Sequence, residues 1–166
     1  MLNKRRRVLL SAWIPAVICV ALIALSSSDT FSSDNTSSVL RPILERIFGA
    51  MSDHRWCKLL FDIRKVGHFF VYGFVSLVFF RAWRMTFRLS HAYSAVTASL
   101  RASAVALLST LLLSGADEFH QLFLPDRTGS PRDVLLDMCG AVTCQLILFA
   151  IFGSLLELAS TTRPDV

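Results

Sequence analysis

Two stretches hold most of the side chains in this sequence that could do chemistry. One is "RKVGHFFVY", Arg64 to Tyr72; the other is "GADEFHQLFLPDRTGSPRDVLLD", Gly115 to Asp137. Lys65, His68 and Tyr72 follow an i, i+3, i+7 spacing, which at about 100° per residue places them on one stripe of a helix. Asp117, His120 and Gln121 likewise fall on one side of a helix, with Glu118 beside them. Phe119, Leu122, Phe123 and Leu124 are interleaved with these polar groups. A purely solvated loop would not carry them. The segment therefore reads as half-buried, and buried polar groups need partners, so a network is expected.

The residues that follow form a turn. Pro125, Gly129 and Pro131 break helix. Ser130 can cap the next helix, with Pro131 at its first position, and Asp133 falls in the first turn, where the helix dipole favours a carboxylate. Ser130 and Asp133 thus have a complete structural explanation. Asp137 does not: it lies one turn deeper, on the face of Asp133 and Gly140, and Gly140 would let a neighbouring helix come close. Arg127 reads as an ordinary loop arginine, a counter-charge for the acids, or a bidentate binder of phosphate or carboxylate. A histidine one turn inside a membrane helix is costly unless paired, so His68 reads as functional. Tyr72 fits an interfacial aromatic anchor equally well, and Lys65 alone would be a snorkelling lysine.

The elements that must hold these residues are membrane helices. The chain has 166 residues, 54% of them hydrophobic, 13 phenylalanines and a mean hydropathy of +0.55. That is too apolar for an ordinary soluble domain. Spanning the hydrocarbon core takes roughly 20 mostly apolar residues, and four stretches suit: Val8–Leu25, Val66–Trp83, Ala95–Ala116 and Val134–Leu158. The fold class expected is all-α, a bundle of four transmembrane helices forming one domain over residues 1–158, with a disordered tail at 159–166. "MLNKRRR" before the first apolar run also fits a signal peptide, and "ALSSS" a cleavage site. The run is longer than a signal core and contains Pro15, so a retained helix is expected. The Ser-rich segment "SSSDTFSSDNTSS" reads as a flexible loop. In "VLRPILERIFGAM" the apolar residues share one helical side, as in a short amphipathic helix lying in the interface or capping the bundle.

The net charge of +5 does not indicate nucleic acid, because the positives flank the spans rather than forming a basic face. Lys4, Arg5, Arg6 and Arg7 precede the first span, and Arg81, Arg84 and Arg88 follow the second, which points both to the cytoplasm. Arg41, Arg46, Arg55, Lys58, Arg64 and Lys65 argue the other way. The four positives directly against the first helix favour an inward N-terminus, and four spans then return the C-terminus to the same side. In either orientation, alternating spans put Lys65 and His68 on the membrane face that carries the loop between the third and fourth spans. The four cysteines form no CxxC pair and no zinc spacing. No metal site and no cofactor is assigned.

With these residues in view, the chain resembles the VanZ-like family of bacterial membrane proteins. The likeness rests on "RKVGHFFVYGF" and "ADEFHQLFLPDRTGSPRDVLLDMCGA". The family pattern is an Arg-Lys-x-x-His-Phe element followed by Asp-Glu-x-His-Gln-x-Phe-x-Pro-Gly-Arg-x-Gly-Ser-x-x-Asp. The chain departs at Val71, where the family often has Glu, and at Asp126, where it commonly has Gly. The resemblance implies the cytoplasmic membrane, a cell-envelope role and a link to low-level resistance to the glycopeptide teicoplanin.

Three functions compete on these grounds. In the first, an extracytoplasmic cluster of Lys65, His68, Tyr72, Asp117, Glu118, His120, Gln121, Arg127, Ser130, Asp133 and Asp137 binds an envelope component. The partner would be a lipid-linked precursor or the glycopeptide, met by Arg127, Lys65 and His68. In the second, the protein is a membrane-embedded enzyme acting on a lipid-linked phosphate or peptide. There His68 or His120 is the general base, oriented by Asp117 or Glu118, and Asp133 and Asp137 hold a divalent cation. In the third, the cluster only locks helices together. The lack of a nucleophile elbow, P-loop or metalloprotease motif favours the first.

Overall fold

Each of the four apolar runs is a single helix in the computed structural model, which describes residues 3–27, 33–89, 93–124 and 129–161. In chain order the helices are α1 (Lys4–Ser26), α2 (Ser33–Phe48), α3 (Asp53–Leu89), α4 (Ala95–Gln121) and α5 (Pro131–Thr161). There is no strand among the described residues. α1, α3, α4 and α5 are long and apolar enough to cross a membrane. Their outer faces expose large apolar side chains such as Ile14, Phe70, Phe74, Leu112, Leu135 and Ile147. That surface suits lipid and would be a liability in water.

α3 is the centre of the bundle and packs against α1, α4 and α5. The core around it contains Tyr72, Val75, Phe79 and Phe80 of α3, Ala16 and Ile23 of α1, and Ala102 and Ala106 of α4. Ala98, Ala102 and Ala106 are fully buried, since side chains this small let α4 lie close to its neighbour. α5 comes closest at Gly140, where an added Cβ would run into the carbonyl of Phe69 on α3, and at Gly73 it would meet Cys144 and Gly140. The Ser76 hydroxyl donates to the Ala141 carbonyl at 3.1 Å across the same crossing.

Pro15 does not interrupt α1. A proline has no N–H, so the carbonyl four residues earlier loses its helical donor. That carbonyl belongs to Ser11, and Arg81 Nη1 of α3 donates to it at 3.0 Å. In a bilayer such a freed group must be met from within the protein. The arginine at the end of the second span is therefore a structural partner of α1 as well as a positive flank.

The connection from α1 to α3 is more ordered than its composition suggests. Part of the Ser-rich segment is helix, because α2 begins at Ser33; Ser, Asp and Asn are the residue types that favour a helix start. Positions 28–32 lie outside the described residues. α2 ends at Phe48, before Gly49 at a φ of 82°. Its Val39, Ile43, Ile47 and Phe48 are exposed, which suits a helix lying in the interface rather than one capping the bundle. Arg41 holds the turn, pairing with Glu45 at 2.9 Å and Asp53 at 2.8 Å and donating to the Met51 carbonyl at 3.1 Å.

α3 starts 13 residues before the expected span. Its 37 residues measure about 55 Å at about 1.5 Å each, against about 30 Å of hydrocarbon. The polar N-terminal part therefore extends beyond the core, anchored where the buried Trp56 donates to the Ser37 hydroxyl at 3.1 Å. α5 runs on to Thr161, three residues into the expected tail, whose remainder at 162–166 lies outside the described residues.

If Arg81 serves the carbonyl freed by Pro15, Arg81→Leu lowers the stability of the purified protein by about 1 kcal/mol. Pro15→Ala restores the helical donor, so the Arg81→Leu cost should shrink in that background. Thermal unfolding of the four forms in one detergent measures the coupling; equal costs in both backgrounds would refute it.

Candidate functional site

The polar cluster lies at one end of the bundle. The end of α1, the outer third of α3, the end of α4 and the start of α5 meet there. Alternation of four antiparallel spans produces this meeting, as expected from the sequence for Lys65, His68 and the turn before α5.

Asp117 of α4 accepts the Ser27 hydroxyl at Oδ1 and, at Oδ2, the Tyr72 hydroxyl at 2.9 Å and the Gln121 amide at 3.2 Å. One carboxylate thus joins α1, α3 and α4. Asp137 of α5 is completely buried. It accepts the Ser114 hydroxyl of α4 at 2.6 Å, and its Oδ1 lies 3.2 Å from His68 Nδ1 of α3. Near the membrane surface, Lys65 pairs with Asp133, and its ammonium also sits 4.9 Å from the centre of the Phe61 ring. The i, i+3, i+7 stripe of α3 therefore faces acids in register: Lys65 to Asp133, His68 to Asp137 and Tyr72 to Asp117.

Glu118 is 4% exposed. Its Oε2 accepts the Ser130 N–H at 2.8 Å, while its Oε1 has no partner among the described residues. The turn can fold back this far because Gly129 packs on the Glu118 carbonyl, where a Cβ would collide. Ser130 then caps α5 as its sequence suggests, its hydroxyl accepting the Arg132 N–H at 3.2 Å, and Asp133 lies in the first turn of α5.

Two expected placements differ. His120 is exposed and stands outside the network, so neither Asp117 nor Glu118 orients it. The face of α4 turned inward runs through Ser114, Asp117, Glu118 and Gln121; at about 100° per residue His120 lies on the far side of Asp117 from Glu118. Asp133 and Asp137 also do not converge, since Lys65 engages the first while His68 and Ser114 engage the second. Arg127 lies outside the described residues.

Ser27 and Ser114 were missed in the sequence. Ser114 carried a signal, standing one turn before Asp117 and Glu118 on the same face. Ser27 carried none, because its partner is 90 positions away.

A cleft of about 190 Å³ opens beside the network, lined by Ser26, Ser27, Thr36, Arg64, Gly67, His68, Val71, Tyr72, Asp117 and Gln121. It sits where the end of α1, the start of α2, the outer part of α3 and the end of α4 meet. A ligand there would meet hydroxyls, an amide, an imidazole, a guanidinium and a carboxylate, with Ile23 and Val71 as its apolar part.

Burial separates the two acids of α5. Asp137→Ala strands His68 and Ser114 inside the bundle and should cost about 3 kcal/mol. Asp133→Ala loses a partly exposed pair and a dipole contact, about 1 kcal/mol. Unfolding of both variants in one detergent tests the order; a larger loss at Asp133 would contradict the burial argument.

No curated protein and no solved structure matches the chain. A family model does, over a span that contains the entire polar cluster. The protein belongs to the VanZ/LLP1 family, whose model matches residues 12–156, and its four apolar helices make it a multi-pass membrane member of that family.

Proposed function

We propose that the protein binds the polar part of a cell-envelope component in the cleft beside Tyr72 and Asp117. The observation that carries this reading is the cleft itself: a mixed polar and apolar hollow at the end of the bundle, walled in part by side chains of the hydrogen-bonded network. Such a hollow fits a ligand with an amide-rich or phosphate-bearing head and a lipid tail in the bilayer. A lipid-linked envelope precursor has that form. The Arg64 guanidinium, the His68 imidazole, the Gln121 amide and the Ser27 and Tyr72 hydroxyls border the hollow and supply its polar side. In this reading the protein resides in the cytoplasmic membrane of a bacterium, with both termini in the cytoplasm and the cleft outside. Engagement of the precursor, or of the glycopeptide, would lower susceptibility to teicoplanin.

A second reading is favoured by one contact. His68 beside Asp137 has the arrangement of an oriented general base and borders the cleft, as a membrane-embedded enzyme on a lipid-linked phosphate or peptide would require. Turnover of such a substrate by wild type, lost in His68→Gln, would favour it over binding alone.

Gly67 offers a direct test, because it lines the cleft and a Cβ added there meets nothing within 4 Å, which leaves room for a larger side chain. Wild type and Gly67→Phe are expressed at equal abundance in a sensitive host. Wild type should raise the teicoplanin concentration that inhibits growth, and Gly67→Phe should not. Protection by both forms would remove the cleft from the mechanism. Protection by neither would remove the phenotype.

Orientation is tested separately at Cys57, which is exposed on the part of α3 that extends from the cluster end. A membrane-impermeant maleimide applied to intact cells should label it, and labelling only after lysis would place the cleft in the cytoplasm.

A further inference from the structure

Besides the cleft, the cluster contains a set of donors that its hydrogen bonds leave incomplete. His68, Glu118 and Asp137 come from three different helices, and one donor atom from each lies within 4.8 Å of the other two. From these positions we infer that the protein binds a divalent transition-metal cation between His68, Glu118 and Asp137.

Three observations support the site. Glu118 Oε1 is buried and unpartnered, and a carboxylate oxygen left so among apolar helices costs stability unless something positive meets it. Asp137 is wholly buried. Together the two acids receive two neutral donors, the Ser130 N–H and the Ser114 hydroxyl, with one imidazole beside them. Finally, His68 Nδ1 and Asp137 Oδ1 are 3.2 Å apart. Neighbouring donors around an ion bound at about 2.1 Å are separated by about 3 Å. A cation can thus replace the proton between these two atoms, and loading would draw the full set of three together.

The donor types narrow the ion. Two carboxylates and an imidazole suit zinc, manganese or iron(II), whereas magnesium and calcium favour oxygen alone. Three protein donors leave coordination positions open, and His68 borders the cleft, so the open side is reached from there. The paired acids suggested by sequence, Asp133 and Asp137, are a different set. This inference does not depend on what the cleft binds.

The test uses the full-length protein purified in detergent, stripped with a chelator and titrated with Mn²⁺. Saturable binding of about one ion per chain is expected, with zinc competing, and pulsed electron paramagnetic resonance should show nitrogen coupling from His68. Glu118→Gln keeps an acceptor for the Ser130 N–H and should weaken binding by more than about 100-fold, beyond the usual cost of losing an outer-shell partner. His68→Gln should abolish the nitrogen coupling. Asp62→Asn, on the exposed part of α3, should bind as wild type does. No saturable binding, bound manganese without nitrogen coupling, or unchanged affinity in a folded Glu118→Gln would each overturn the site. Should Glu118→Gln fail to fold, the coupling in wild type decides.

Discussion

A carboxylate buried among apolar helices must be met by donors from other helices, and Asp117 and Asp137 impose that requirement on one whole end of this bundle. Lipid offers no hydrogen bonds, and Asp137 is wholly buried, so its carboxylate is satisfied from within the protein. Asp117 draws Ser27 of α1 and Tyr72 of α3 to α4. Asp137 draws His68 of α3 and Ser114 of α4 to α5. Four helices are thereby fixed in height and rotation at the point where the cleft opens. Packing agrees with this register, because Gly140 lies one turn below Asp137 and lets α5 approach α3 closely.

The opposite end follows the same rule on different chemistry. There the group to be satisfied is the Ser11 carbonyl freed by Pro15, and Arg81 meets it. Trp13 packs edge-on against Trp83 with ring centres 4.9 Å apart and donates to Thr86 at 3.1 Å. α1 is thus tied to α3 near its start by Arg81 and Trp13, and to α4 by Ser27 at its end. Its own packing is thin, since Leu10, Val17, Ile18 and Leu22 face outward. A few polar bonds at its two ends therefore hold this helix in register.

Much of this was legible in the sequence, for specific reasons. The spans follow from apolar length, and the stripe of Lys65, His68 and Tyr72 from the helical period. The meeting of that stripe with the start of α5 follows from alternation of spans. What the period cannot supply is the rotation of a helix about its axis. In α4 four polar residues within five positions leave several choices of inward face, and the expected one takes in His120, whereas the inward side passes through Glu118. Composition misled in the first connection, where serines that usually mark a loop occupy the start of α2. The reach of α3 to Asp53 was hidden because its polar turns depend on α2, through Trp56 and Ser37, rather than on lipid.

The balance of energies bears on why the cluster exists. A buried ionic network is rarely the most stable way to fill a bundle, and apolar residues of similar volume often hold it as well or better. Elsewhere the core is largely apolar, with Ala98, Ala102 and Ala106 closing α4 onto its neighbour, and its buried polar members Ser76, Thr110 and Gln145 carry no charge. A lock alone would need no more than Asp117 with its three donors, which already joins three helices. Asp137 and Glu118 add burial cost beyond that, and Glu118 ends with one oxygen unmet. Val71, exposed at the lip of the cleft, carries no such cost, so the burial penalty of the cluster falls on its interior acids.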